Sequence, residues 1–159
     1  MKNSIEYIKG DATQPWGDGN KIICHVCNDI GMWGKGFVLA VSKRWTQPEA
    51  EYRKWFAAGK DAGFSLGSVQ FVQVEPVVWV ANMIGQHKIK NTTIGPPIRY
   101  DALAACLMKV ADKARELTAT IHMPRIGCGL AGGKWAKIEP LIQDCLCDSG
   151  IQVIVYDFD

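Results

Sequence analysis

Two spacings of apolar positions alternate along the chain and mark out its elements. Ile5, Tyr7 and Lys9 alternate with Glu6 and Ile8, a short strand closed by Gly10. Lys21 to Val26 carries the near-continuous apolar run Ile22, Ile23, Cys24 and Val26, which suits a strand buried on both faces. Ser68 to Gln73 alternates again, and Val77 to Ile84 is strongly apolar, with Pro76 at its start. Thr120 to Met123 and Ile151 to Tyr156 complete the strands.

Helical spacing fills the intervals. Val38, Val41 and Trp45 share one face of a helix over residues 36–45. Pro48 opens a second over 49–58, with Tyr52, Trp55 and Phe56 inward and Gly59 past its end. Asp101 caps a third that runs to about Leu117, on the stripe Leu103, Leu107, Val110, Ala114 and Leu117. Trp135 begins a fourth, with Pro140 in its first turn and Gly150 beyond it. Strands and helices are mixed, and the helices suffice to cover both faces of one sheet, so the pattern predicts an α/β/α sandwich over residues 1–159 as one domain.

Composition narrows the function classes. The chain has 159 residues, 21% of them charged, and a formal net charge of +2. That charge is too small, and the Lys and Arg too scattered, to point to nucleic acid. No apolar stretch is long enough for a membrane span and the first residues lack a signal-peptide core, so the expectation is cytoplasmic. Cys24-His-Val-Cys27 has CxxC spacing, but it lies in a predicted strand, where an odd offset sends the two thiols to opposite faces. No second pair follows, so the six cysteines read as reduced thiols and no metal site is expected.

The candidate chemistry sits where strands end. After Met123, Pro124 stops the ladder, and Gly127, Gly129, Gly132 and Gly133 follow before Trp135. Such a loop is either a tight connection or a cradle of bare N–H groups for an anion. Gly31-Met-Trp-Gly34-Lys-Gly36 also follows a strand and precedes a helix, and matches neither the P-loop nor the dinucleotide fingerprint. Two such loops at one sheet edge suggest a diphosphate. Asp11, after the first strand, is either a turn cap or an acceptor for a purine amino group. His25 is either a buried neutral histidine or a proton carrier. Residues 85–100 form the longest irregular stretch, in the style of a lid or specificity loop.

Taken together, Tyr7-Ile-Lys-Gly-Asp11-Ala, His25-Val-Cys-Asn28, Gly31-Met-Trp-Gly-Lys-Gly36, Met123-Pro-Arg-Ile-Gly-Cys-Gly-Leu130 and Val153-Ile-Val-Tyr156 resemble the macrodomain family, which binds ADP-ribose. The chain looks most like its small single-domain branch, which holds terminal ADP-ribose protein glycohydrolase and ADP-ribose-1″-phosphate phosphatase. The resemblance implies a three-layer α/β/α sandwich on a mixed sheet. It implies that Asp11 and Ala12 meet the adenine and that Tyr156 or Phe158 packs on it. Asn28 would lie near the distal ribose, Gly34, Lys35 and Gly36 around ribose and diphosphate, and Gly127, Cys128, Gly129 and Leu130 on the phosphates.

The glycohydrolase branch carries a lysine nucleophile after the strand matching Val77–Asn82 and an aspartate after Gly-Cys-Gly-Leu. Here Met83 and Ala131 take those places, and neither can form a Schiff base or move a proton. His25 matches a histidine of the phosphatase-like members, and Asp29 is the next acid/base candidate. The resemblance therefore implies hydrolysis of a small ADP-ribose derivative, the 1″-phosphate or an O-acyl ester, with water as nucleophile. The alternative is a non-catalytic reader of free or protein-linked ADP-ribose, and a more distant one is an α/β protein for another nucleotide. No cofactor is called for in any of these.

Overall fold

The computed structural model describes residues 3–89 and 96–158, so the part of the predicted 85–100 loop at 90–95 lies outside the described residues. Six strands form one sheet: β1 (Glu6–Lys9), β2 (Lys21–Asn28), β3 (Val69–Glu75), β4 (Val78–Gln86), β5 (Thr120–Met123) and β6 (Val153–Asp157). Their order across the sheet is β1-β6-β5-β2-β4-β3, parallel throughout except for the antiparallel β3–β4 edge. The helices are α1 (Phe37–Arg44), α2 (Gln47–Ala58), α3 (Tyr100–Leu117) and α4 (Trp135–Cys145). The expected α/β/α sandwich on a mixed sheet is the architecture observed.

Period-two alternation divides the core into two layers. Ile22, Cys24, Ala81, Met83, Ile121, Met123, Val153 and Val155 pack with α3 and α4 on one face. Ile23, Cys27, Val80 and Ile84 pack with Val41 of α1 and Tyr52 of α2 on the other. The two CxxC thiols thus belong to opposite layers, as their odd offset requires.

Several local expectations are corrected. Pro76 lies in the turn between β3 and β4, because β4 begins at Val78. Arg99, not Asp101, occupies the N-cap of α3, and the Asp101 carboxylate accepts from the Ala102 N–H inside the first turn. Pro140 is the sixth residue of α4, which costs that helix one internal bond. Phe56 is 41% exposed, its ring lying against Phe64 at the end of α2. No helix among the described residues is long and apolar enough to cross a membrane.

Candidate functional site

Five of the six strands are mutually parallel, so five carboxyl ends share one edge. The segments leaving that edge begin, in spatial order, at Gly10 after β1, Phe158 after β6, Pro124 after β5, Asp29 after β2 and His87 after β4. Between them runs a groove of three connected compartments. At a strand spacing of about 4.8 Å, five strand ends span roughly 19 Å, so the groove suits an extended ligand of several parts.

The first compartment, about 850 Å³, is walled by Gly10, Asp11, Ala12, Phe37, Tyr156 and Phe158, with Lys43 and Arg44 at its far end. The Oδ1 of Asp11 accepts from the Thr13 N–H at 2.8 Å and the Thr13 hydroxyl at 2.7 Å, and Arg44 Nε donates to the same hydroxyl at 3.0 Å. The carboxylate is thereby fixed through one oxygen and offers the other. Ala12 packs with Ile154 and Tyr156. Tyr156 is almost fully buried, and its hydroxyl accepts from the Trp16 N–H at 2.8 Å and meets His122 Nδ1 at 2.7 Å. Phe158 instead is 79% exposed beside the same cavity and is free to cover a planar ring.

The middle compartment, about 270 Å³, lies between the start of α1 and the glycine loop. Its walls include Lys35, Gly36, Phe37 and Val38 on one side and Gly127, Gly129, Leu130 and Ala131 on the other. The first N–H groups of α1 lack helical acceptors, its first turn has no acidic residue, and Lys43 and Arg44 occupy its last turn. That end of the helix therefore favours an anion. In the facing loop the glycines divide into two kinds. A Cβ on Gly133 would stand 2.5 Å from the Gly127 carbonyl oxygen, so Gly133 serves the loop's own closure. A Cβ on Gly129 would meet nothing within 4 Å, because that position opens onto the groove. Cys128 turns the other way and packs against the larger core, and burial pushes its thiol up. Arg125, at the rim, is clamped to Asp157 at 2.7 and 3.1 Å and stacked on Tyr7 and Trp135.

His25 reaches the middle compartment from β2 but is only 2% exposed, against the rings of Trp33 and Phe37. Its Nε2 lies 2.6 Å from Asn82 Oδ1. The Asn82 amide nitrogen donates to the Pro48 carbonyl at 3.1 Å and to Gln70 Oε1 at 3.0 Å, which fixes Oδ1 toward His25. Nε2 must then carry the proton and donate. Burial pushes the imidazole down to about 4, against a smaller lift from this bond.

The third compartment, about 320 Å³, contains Asn28, Met32, Trp33, Gly34, Lys35, Gln86, Ile89 and Leu130. Asn28 is occupied by its own loop: Oδ1 accepts from the Ile30 and Met32 N–H groups, each at 3.1 Å, and from the Tyr52 hydroxyl at 2.8 Å, while Nδ2 donates to the Met32 carbonyl at 2.6 Å. It shapes this compartment. Leu130, 69% exposed, forms its apolar lip with Met32.

The structure brings together Asp11, Ala12, His25, Asn28, Gly34, Lys35, Gly36, Gly127, Gly129, Leu130 and Tyr156 along the groove. Asp29 does not join them, since it faces a separate depression and pairs with His87. The placement of Met83 at the end of its strand is corrected: β4 continues to Gln86, and Met83 is 0% exposed in the core beneath α3. The strand-end residue facing the groove is Gln86, and Ala131 lies opposite on the loop. The apolar run ends at Ile84, so the last two residues of the strand, Gly85 and Gln86, carry no such signal. Phe37 borders two compartments, although its aromatic character reads in the sequence as ordinary helix core.

Comparison with known proteins adds to this geometry. No protein-family model matches the chain. A solved structure of a macrodomain protein from Streptomyces coelicolor is 59% identical, with a TM-score of 0.87 over 97% of this chain and 99% of that one. Chromodomain-helicase-DNA-binding protein 1-like from Mus musculus is 32% identical over 98% of this chain, which spans only 18% of that protein's length. ADP-ribose 1″-phosphate phosphatase from Candida albicans is 25% identical over 88% of this chain and 92% of its own. Thermosipho africanus DarTG, solved in complex with ADP-ribose, is 16% identical with a TM-score of 0.75 over 98% of this chain and 42% of that one, a likeness of fold.

Proposed function

Because the chain belongs to the macrodomain family, we propose that its groove binds ADP-ribose, free or carried by a protein. The adenine lies beside Asp11 and Ala12, with Phe158 over its face. The diphosphate lies between the start of α1 and Gly129, where N–H groups and the helix end supply positive potential without committed arginines. The distal ribose enters the compartment of Gly34, Lys35 and Gln86. The observation that carries this reading is the linear order of the compartments, with the anion-suited one in the middle. The Thermosipho complex supports it as an analogy of fold. Reduced thiols suit a cytoplasmic setting.

Hydrolysis of ADP-ribose-1″-phosphate or an O-acyl ester is the second reading, and the Candida relative's name favours it. It assigns proton transfer to His25, with Asp29 next. The geometry supports binding more strongly. His25 is neutral near pH 7 and commits its proton to Asn82, and Asp29 is held by His87 outside the groove. Gln86 and Ala131 supply no lysine or carboxylate at the third compartment, which leaves the covalent lysine route without its nucleophile.

Calorimetric titration with ADP-ribose, ADP and AMP tests the binding reading: affinity should fall in that order. ADP-ribose binding no better than ADP would overturn it. Phosphate released from ADP-ribose-1″-phosphate by the wild type, and lost in His25→Ala, would establish the second reading; tight binding without release leaves a reader.

A further inference from the structure

Asp29 and His87 stand outside the groove, in a depression of about 470 Å³ that they share with Phe56, Lys60, Phe64, Ser65 and Leu66. We propose that this depression is a second binding site, for an organic carboxylate on an aromatic body, with His87 and Lys60 holding the carboxylate and the Phe56–Phe64–Leu66 wall covering the ring.

The imidazole is built into place. His87 Nδ1 lies 2.7 Å from Asp29 Oδ2, and Asp29 Oδ1 accepts from the Lys88 N–H at 2.8 Å. Lys88 adopts φ +59°, a left-handed conformation that a non-glycine residue takes up at a cost, and this turns its N–H back onto the carboxylate. With both carboxylate oxygens engaged, the ring orientation is set and Nε2, on the far side of the imidazole, is directed away from Asp29. The histidine side chain keeps 36% of its surface exposed, against 17% for Asp29.

This arrangement is not needed to join the strand ends. The Asp29 N–H already donates to the Gln86 carbonyl at 3.0 Å, Asn28 pairs with Gln86, and the His87 N–H donates to Pro97 at 2.8 Å. The side-chain pair is additional, and what it presents is an outward ring nitrogen. Beside it, Lys60 brings an ammonium with no carboxylate partner among the described residues. Lys60 adds a cation to a depression whose one carboxylate, Asp29, has both oxygens engaged, so an anion fits. Phe56 and Leu66 are substantially exposed at its mouth, with Phe64 buried between Trp55 and Phe56. An aromatic ring laid there removes apolar surface from water and meets ring edges.

The test uses the full chain, with benzoate as probe and methyl benzoate as its uncharged control. Heteronuclear NMR should show saturable movement of the His87 ring signals and the Phe56 and Phe64 ring protons, without movement at Gly129. The ester should bind at least about tenfold more weakly, and Lys60→Gln, at an exposed position, should weaken benzoate by about the same factor. Absence of saturable shifts, equal binding of the ester, or unchanged binding in both Lys60→Gln and His87→Gln would overturn the proposal. ADP-ribose affinity is measured on the same variants and should be unchanged, so failure here is distinguishable from failure of the groove.

Discussion

Replacing Gly129 by leucine separates the groove from the fold. Gly129 borders the middle compartment, its φ is not in the left-handed region, and an added Cβ finds nothing within 4 Å. The fold should therefore accept the side chain with a stability change within about 0.5 kcal/mol, the usual range for an open surface position. Leucine also restricts the unfolded chain more than glycine does, which works toward a small gain. The groove should not accept it. The compartment holds only about 270 Å³, and a leucine projecting into it displaces the diphosphate from the N–H groups of its walls. A hydrogen bond from an N–H to a charged acceptor contributes about 1.5–3 kcal/mol, so losing one weakens ADP-ribose by about tenfold to a hundredfold. Calorimetry reports the affinity and urea denaturation the stability. The control is Gly133→Ala, whose Cβ meets the Gly127 oxygen at 2.5 Å and should destabilise the loop instead. Gly129→Leu binding ADP-ribose within twofold of wild type would refute the assignment of this loop to the phosphates.

Asp11→Ala should weaken every adenine-bearing ligand by about 1–3 kcal/mol, and Asp11→Asn, which keeps an acceptor for Thr13, should recover the fold but not all of the affinity; equal titration curves for Ala and wild type would remove Asp11 from the site. Burial holds both His25 and His122 neutral, with midpoints pushed down to about 4 from an unfolded value near 6.5. As pH falls through about 6.5 the unfolded chain gains protons that the native state refuses, so stability declines toward pH 4, by up to about 3 kcal/mol per histidine. A urea midpoint that stays level between pH 7 and 5 would contradict this. Asn82→Ala strips partners from His25 Nε2, the Pro48 carbonyl and Gln70 at once, and should cost about 2–4 kcal/mol in denaturant titration; a loss under about 0.5 kcal/mol would show that water replaces the amide.

The elements were legible because their signals are local. The near-continuous apolar run Ile22–Cys24 states that both faces of its strand are buried, the 3/4 stripe of Leu103, Leu107, Val110 and Ala114 states which face of its helix is, and both are packed as the pattern requires. The glycine-rich strand ends were legible for the same reason: a segment that must turn sharply beside a strand writes that need into its own residues. What the sequence could not order was the groove. Asp11 and Tyr156 lie at opposite ends of the chain and reach one cavity only because β1 pairs with β6, a choice made by burying apolar faces across 144 intervening residues. The end of β4 is not marked in the sequence because Gly85 and Gln86 carry no apolar signal, although the ladder to β2 passes over Gly85 and resumes at Gln86, opposite Asn28. Asn28 and His25 show the same limit in their chemistry. Their residue types suit a ligand or a proton, but hydrogen bonding to Met32, Tyr52 and Asn82 commits them to the scaffold. A side chain's type fixes what it can donate or accept; only packing against distant segments decides which partner takes it.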